Sequence, residues 1–317
     1  MPTRGYIRLR SCCRLQSGRE GHAIFNLERG SYAFIPPTIH AVLTVHSQFT
    51  LSELEGFAGD TGKLGTYIDH LVASHFLIET LTPDHYPATS DEWHCPELVL
   101  AAVLEVSPAS PYNLWAVLDQ LRTHNCKHVE IRLLDGVHST VFEQLLEHTV
   151  NSTFRTVDLV ASWTTITTGM AEAALPAKLE QWLALYPKLS RFLLYNSPPA
   201  STPEPWPMSV LRTSQTLAQL HASEAAFRSD KLYISTPFYT ESLRFNPYYN
   251  RKVCVAADGA IKNCLDHAAS FGNVCTELIA DVVSQAEFQR LWQQNNALNP
   301  HLADSVFKYA RLTRVYV

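Results

Sequence analysis

No uninterrupted apolar run in this chain approaches the roughly 18–20 residues that a membrane-spanning helix needs. Met1-Pro2-Thr3-Arg4-Gly5 leads into Tyr6-Ile7-Arg8-Leu9-Arg10, which lacks the apolar centre of a signal peptide. The expected address is therefore cytoplasmic, with no membrane partner. Long runs of one charge are also missing. The formal net charge is −5 over 317 residues, which argues against generic binding to nucleic acid or to an acidic membrane. Neither internal repeats nor low-complexity tracts occur. The 7 cysteines form no even framework, and without a secretion signal reduced thiols are expected rather than disulfides.

What is present is an ordinary globular composition, 46% apolar and 17% charged, with length for two or three domains. Tyr6 to Leu15, His22 to Phe25 and Ser31 to Ile35 read as three strands, the last two joined by a Glu28-Arg29-Gly30 turn. Pro36-Pro37 ends the third strand and starts a helix over Thr38 to Val45. Thr50 with Glu53 is a capping box for a second helix. Leu64, Ile68, Leu71 and His75 keep helical spacing in a third. Three strands then three helices make a winged-helix-like module over residues 1–82. Pro83 to Pro96 reads as a linker.

Strands and helices then alternate over residues 97–235. The strands are Leu98 to Val106, Val129 to Leu133, Val157 to Ala161, Phe192 to Tyr195, Ser209 to Arg212 and Leu232 to Ile234. The helices between them include Tyr112 to Thr123, Ser139 to His148, Glu172 to Leu185 and Gln215 to Phe227, with a proline-rich loop at Ser197 to Pro207. Such alternation predicts parallel βα units, too few for a closed eight-unit barrel. The expectation is an α/β chain with an open, partial (β/α)6 barrel. The last block, 236–317, predicts a hairpin around Asp258-Gly259 and a helix from Thr276 to Gln293.

Several motifs have plain structural readings. Gly56 to Leu64 lacks the glycine spacing of a phosphate loop and has Leu64 where Ser or Thr would bind magnesium. His138 and His148 mark the ends of a surface helix, and no His-Glu-x2-His occurs. Glu130, Arg132 and Asp135 lie near the end of a barrel strand, where barrel sites form, though strand-end charges also serve solubility. Asn151-Ser152-Thr153 is a glycosylation triplet without meaning in a cytoplasmic protein. Cys254-x9-Cys264-x2-His267-x7-Cys275 offers four zinc-type ligands. A two-residue turn at Asp258-Gly259 would point Cys254 and Cys264 to opposite faces, whereas a three-residue loop would put both sulfurs on one face.

Ile24-Phe25-Asn26-Leu27-Glu28-Arg29-Gly30-Ser31-Tyr32, with the strand–helix order around it, resembles the precursor-recognition element of peptide-modifying enzymes, the fold of the pyrroloquinoline-quinone leader-binding chaperone. The resemblance implies that a leader peptide adds as a strand beside Ser31 to Ile35 and packs on Leu64 to Ser74. Tyr32, Phe34, Tyr67, His70, Leu71 and Ser74 are then the candidate peptide-binding residues. Strand alternation sets Tyr32 and Phe34 on one face, which can equally be a buried one.

The later blocks resemble the radical-SAM/SPASM peptide maturases, in particular the SPASM protein of grasp-with-SPASM systems. Phe238-Tyr239-Thr240-Glu241-Ser242, Asn246, Asn250-Arg251-Lys252-Val253, Asp258 to Cys264 and Ser270-Phe271-Gly272-Asn273-Val274 carry it. The cluster ligands of that family are missing. No Cys-x3-Cys-x2-Cys occurs, and its expected place holds Ser107-Pro108-Ala109-Ser110-Pro111-Tyr112-Asn113. By the family pattern, Gly259-x4-Cys264 survives, the preceding ligand position falls on Tyr248, and the C-terminal cysteines are replaced around Phe307 and Ala310. Thiolates are the usual cluster ligands. The resemblance therefore implies a non-catalytic relative without cofactor, which binds a ribosomal precursor peptide and presents it to a partner ATP-grasp ligase. The alternative is an enzyme that uses the barrel mouth or a zinc site without iron–sulfur clusters.

Overall fold

The computed structural model describes residues 5–58, 61–169, 171–199, 209–220 and 231–314. The chain groups into two compact units. One takes Met1–His94, Ser229–Pro247 and Gln294–Thr313; the other takes Cys95–Arg228, Tyr248–Gln293 and Arg314–Val317. The ends of the last sequence block thus group with the N-terminal residues, and its hairpin groups with the parallel strands.

In the first unit, strands β1 (Tyr6–Leu9), β2 (Cys13–Gly18), β3 (Gly21–Asn26) and β4 (Ser31–Ile35) precede helices α1 (Pro37–Val45), α2 (Leu51–Ala58) and α3 (Thr61–Ala73), and β5 (Leu77–Thr80) follows. Strands β2-β3-β4 form an antiparallel meander, and β1 pairs with β5. The expected single strand over Tyr6 to Leu15 is therefore two. The Cys13 N–H bonds back to the Arg10 carbonyl at 2.9 Å, and this turn sends the two halves to different partners. Three strands and three helices become four strands, three helices and a fifth strand. Pro37 opens α1, where its missing N–H is not needed. At α2 the Thr50 N–H donates to Glu53 Oε2 at 2.6 Å and the Glu53 N–H donates to Thr50 Oγ1 at 3.3 Å. Helix α3 stops before His75, whose φ of 63° turns the chain toward β5.

The meander buries both faces by strand alternation. Ile24 and Ile35 join Ile39, Val42, Leu54, Ile68 and Leu71 in one apolar cluster with the helices. Ala23, Phe25 and Leu27 face the other way, onto Tyr239, Val306, Phe307 and Ala310.

The second unit alternates β6 (Ala101–Val106), α4 (Leu114–Thr123), β7 (His128–Leu133), α5 (Ser139–Val150), β8 (Thr156–Ser162), α6 (Trp163–Thr167), α7 (Leu175–Leu185), β9 (Leu189–Tyr195) and β10 (Val210–Arg212). Strands β11 (Lys252–Val255), β12 (Ala260–Lys262) and β13 (Gly272–Asn273) complete an eight-stranded sheet of order β10-β9-β8-β7-β6-β11-β12-β13. It is parallel from β10 to β11 and antiparallel beyond. The expected sixth barrel strand, Leu232 to Ile234, is not in this sheet. Leu232 instead bridges Arg311 in the first unit, and the place beside β6 is taken by β11, with Lys252 opposite Ala101. Most of the helix expected over Gln215 to Phe227 and of the loop over Ser197 to Pro207 lies outside the described residues.

The hairpin turns through the three-residue loop Ala257-Asp258-Gly259. The Ala256 N–H donates to the Ala260 carbonyl at 3.0 Å, and Cys254 pairs with Lys262. Gly259 has φ +86°, and a Cβ there would lie 2.7 Å from Asn273 Oδ1, so glycine fits the turn on both counts. The helix expected over Thr276 to Gln293 is two short helices, Ile279–Val283 and Ala286–Gln289. Ser284 Oγ bonds back to the Ala280 carbonyl at 2.7 Å, and extended Gln285 separates the helices. Among the described residues no helix is long and apolar enough to cross a membrane.

Candidate functional site

Two places hold the residues singled out by sequence. In the first unit, β4 is an edge of its meander, and no strand among the described residues pairs with its outer side. Tyr32 is 40% and Phe34 47% exposed, both on the face shared with Phe25. Their rings meet Phe307 edge-on at 5.0 and 6.0 Å, and each other at 5.9 Å. Helix α3 adjoins this edge directly, because the Tyr67 hydroxyl donates to the Phe34 carbonyl at 2.8 Å. Burial raises the Tyr67 pKa, which keeps its phenol a donor. His70 is exposed and Ser74 half-buried. Leu71, by contrast, is fully buried among Ile24, Ile68 and Phe76. It supports the α3 face from beneath and offers no surface.

The second place is a cavity of about 30 Å³ in the second unit, lined by Val103, Arg132, Tyr248, Lys252, Cys254, Cys264, Leu265, Asp266 and Arg314. The three-residue loop has put Cys254 and Cys264 on one side. Tyr248, at the position the family pattern gives to a missing ligand, places its hydroxyl 3.6 Å from Cys264 Sγ. Lys252 Nζ lies 3.7 Å from the centroid of the Tyr248 ring. Arg314 donates to Cys264 Sγ at 3.3 Å and is paired with Asp266. Burial raises the Tyr248 pKa, and Cys264 adds to the effect. Burial opposes the charge on Arg314, but Tyr248, Cys264 and Asp266 outweigh it and hold the guanidinium protonated. Burial likewise lowers the His267 pKa against the pull of Asp266, so the ring is favoured neutral.

An iron–sulfur cluster does not fit these residues. The position that the resemblance gives to a first ligand is the phenol of Tyr248, and the Arg314 guanidinium stands beside the Cys264 thiol. Phe307 and Ala310, where the resemblance would put further cluster ligands, are packed in the apolar cluster of the first unit. Of the four zinc-type residues, the structure brings Cys264 and His267 together, with Asp266 as a third group. Their ligand atoms lie within 4.8 Å of one another. Cys254 does not join them. Burial pushes its thiol up to about 12, and its Sγ donates to the Asn263 carbonyl at 3.5 Å. Cys275 is exposed, and its N–H donates to Asn273 Oδ1. Asp266 and Arg314 were not singled out by sequence. Asp266 stood two residues after Cys264, but nothing in the local pattern pointed from Arg314 to it.

The strand-end charges have partners across the sheet. Arg132 Nε donates to Glu130 Oε1 at 2.7 Å, and Arg191 bridges Glu130 at 3.2 Å and Asp158 at 2.9 Å. Strand register stacks Glu130, Asp158 and Arg191 side by side, so the cluster is a cross-strand ion-pair ladder. Asp135 is exposed just beyond β7. Ser107 to Asn113, the loop that the resemblance makes a cluster loop, is closed by Ser110 Oγ on the Ser107 N–H at 2.9 Å. It ends with Asn113 capping α4. His138 caps α5, and His148 lies 3.4 Å from Asp119. Of Gly56 to Leu64, the described residues belong to α2 and α3, and residues 59 and 60 lie outside them.

No family model and no curated protein matches the chain. Among solved structures, Streptococcus suis SuiB bound to S-adenosylmethionine aligns with 97% of this chain and 95% of its own, at 9% identity and TM-score 0.32. SuiB bound to precursor peptide SuiA aligns over 97% and 95%, at 8% identity and TM-score 0.28. At such TM-scores the likeness does not establish a shared fold.

Proposed function

We propose that this chain is a non-catalytic accessory protein of ribosomal peptide maturation, which captures a precursor leader peptide on β4 and α3. The observation that carries the reading is the β4 edge, where Tyr32 and Phe34 stand half exposed beside the α3 face. An added peptide strand would gain main-chain hydrogen bonds from such an edge, while Tyr32, Phe34, Tyr67, His70 and Ser74 would read its side chains. Residues 1–82 then act as the recognition element, 97–235 as a partial barrel scaffold, and 236–317 as a degenerate SPASM-like block. The absence of cluster thiolates in the sequence supports a role in presentation rather than radical chemistry. The partner is a ligase of the ATP-grasp type, which receives the tethered peptide at raised local concentration.

The test uses the full-length chain and fluorescein-labelled peptides made from the small open reading frames beside its gene. Saturable anisotropy for one peptide, lost in a Tyr32→Ala/Phe34→Ala variant that remains folded, supports the reading. No saturable binding by any of them overturns it. The alternative, an enzyme working through a metal, draws on Cys264, Asp266 and His267. Stoichiometric zinc in the purified chain, lost in His267→Ala, would favour it.

A further inference from the structure

We propose that the cavity beside Cys264 binds one small monovalent anion of the size of chloride or bromide. This inference stands apart from peptide capture, since it rests only on residues of the second unit. The cavity, about 30 Å³, exceeds the roughly 10–15 Å³ that a single water requires. Its polar lining holds three cationic side chains, Arg132, Lys252 and Arg314, together with the Tyr248 hydroxyl, the Cys254 and Cys264 thiols and one carboxylate, Asp266.

The charges do not cancel. Arg132 is tied to Glu130, and Arg314 to Asp266. Lys252 rests on the Tyr248 ring and, among the described residues, has no carboxylate partner. One positive charge is left over at the rim of a polar hole. The Arg314 side chain is only 11% exposed, and its buried Nε–H has no hydrogen-bond partner among the described residues. Buried donors are rarely left unmade in folded proteins, and this one belongs to a residue that lines the cavity. A metal cation is disfavoured, because it would sit among an ammonium and two guanidinium groups. A water would accept from Arg314 but would leave the charge of Lys252 uncompensated. A halide meets both demands, since it accepts from several donors at once and carries one negative charge.

The experiment follows thermal unfolding of the full chain in sodium chloride and sodium bromide, with sodium gluconate at matched ionic strength as the bulky control. The melting temperature is expected to rise and saturate with either halide and to stay flat in gluconate. Lys252→Met and Arg314→Gln should each raise the halide midpoint at least about tenfold, a loss of about 1.4 kcal/mol. Equal curves in halide and gluconate overturn the proposal, as does unchanged saturation in both variants. A second measurement does not depend on the variants folding. Wild-type crystals soaked in bromide should show an anomalous peak between Lys252 and Arg314, and a water there instead overturns the assignment.

Discussion

The β4 edge and the Cys264 cavity each have a tyrosine set against them, and the two tyrosines act in opposite ways. Tyr67 covers one backbone carbonyl of the β4 edge with one hydrogen bond. Breaking such a bond costs about 0.5–1.5 kcal/mol, which an incoming strand can supply. Tyr248 instead fills volume beside Cys264, with Lys252 stacked on its ring and Arg314 nearby. It cannot leave without opening a hole. A hydrogen-bonded cap keeps an edge usable and guards it against unwanted strand pairing, whereas a packed ring forms a fixed part of the wall of its cavity.

The sharpest way to break this contrast is to remove both rings. Tyr248→Ala is expected to destabilise the second unit by about 3 kcal/mol, as large-to-small changes of packed aromatics do, and Tyr67→Ala by much less. Urea unfolding of both variants checks it, and equal losses would erase the distinction. Next in size, Phe34→Ala should weaken peptide capture about tenfold, close to 1.4 kcal/mol, with stability nearly unchanged because the ring is already 47% exposed. Anisotropy titration alongside a melting curve measures both. Tyr67→Phe works in the opposite direction. It frees the Phe34 carbonyl and should tighten capture by about threefold, within the worth of one hydrogen bond. Weaker capture would show that the Tyr67 hydroxyl bonds to the peptide rather than caps the edge.

The smallest effect concerns pH at the Cys264 cavity. Burial pushes the Asp266 carboxyl up, but hydrogen bonds from Cys264 and Arg314 outweigh it and hold the pKa below its ordinary value. A lowered folded pKa gives stability that is complete above the unfolded value of about 3.9 and is lost as pH falls through the folded value. Asp266→Asn should therefore cost under about 1 kcal/mol near neutrality, given a side chain 43% exposed, and nothing in strong acid. Paired denaturation curves at the two extremes test the sign.

Local patterns reached the local features. Pro37, the Thr50–Glu53 box and the Asp258-Gly259 loop act through neighbours a few residues away, and each could be read from spacing. The resemblance set Tyr248 at a ligand position, and its hydroxyl lies 3.6 Å from Cys264 Sγ. What escaped is non-local. The Ser11-Cys12 turn interrupts a run whose alternation looks continuous. Leu232 to Ile234 has the composition of a sheet strand, yet Leu232 pairs with Arg311 within the first unit. Leu71 keeps the helical spacing of Tyr67 but turns inward, since a stripe wide enough to face the core includes positions on both sides of its edge. Arg314 meets Asp266 from 48 positions away along the chain, and charge alone does not choose between distant partners.

The position of β11 also constrains how the second unit is made. Strand β6 is among the first of its sheet to leave a ribosome, and its neighbour on one side is β11, whose pairing begins at Lys252. Until then, that side of β6 has its backbone donors and acceptors open during synthesis. Contacts between segments so far apart in sequence form late and slowly. The nascent sheet therefore carries an open edge from Val106 until Lys252 has been made, an interval in which unpaired strand edges favour aggregation.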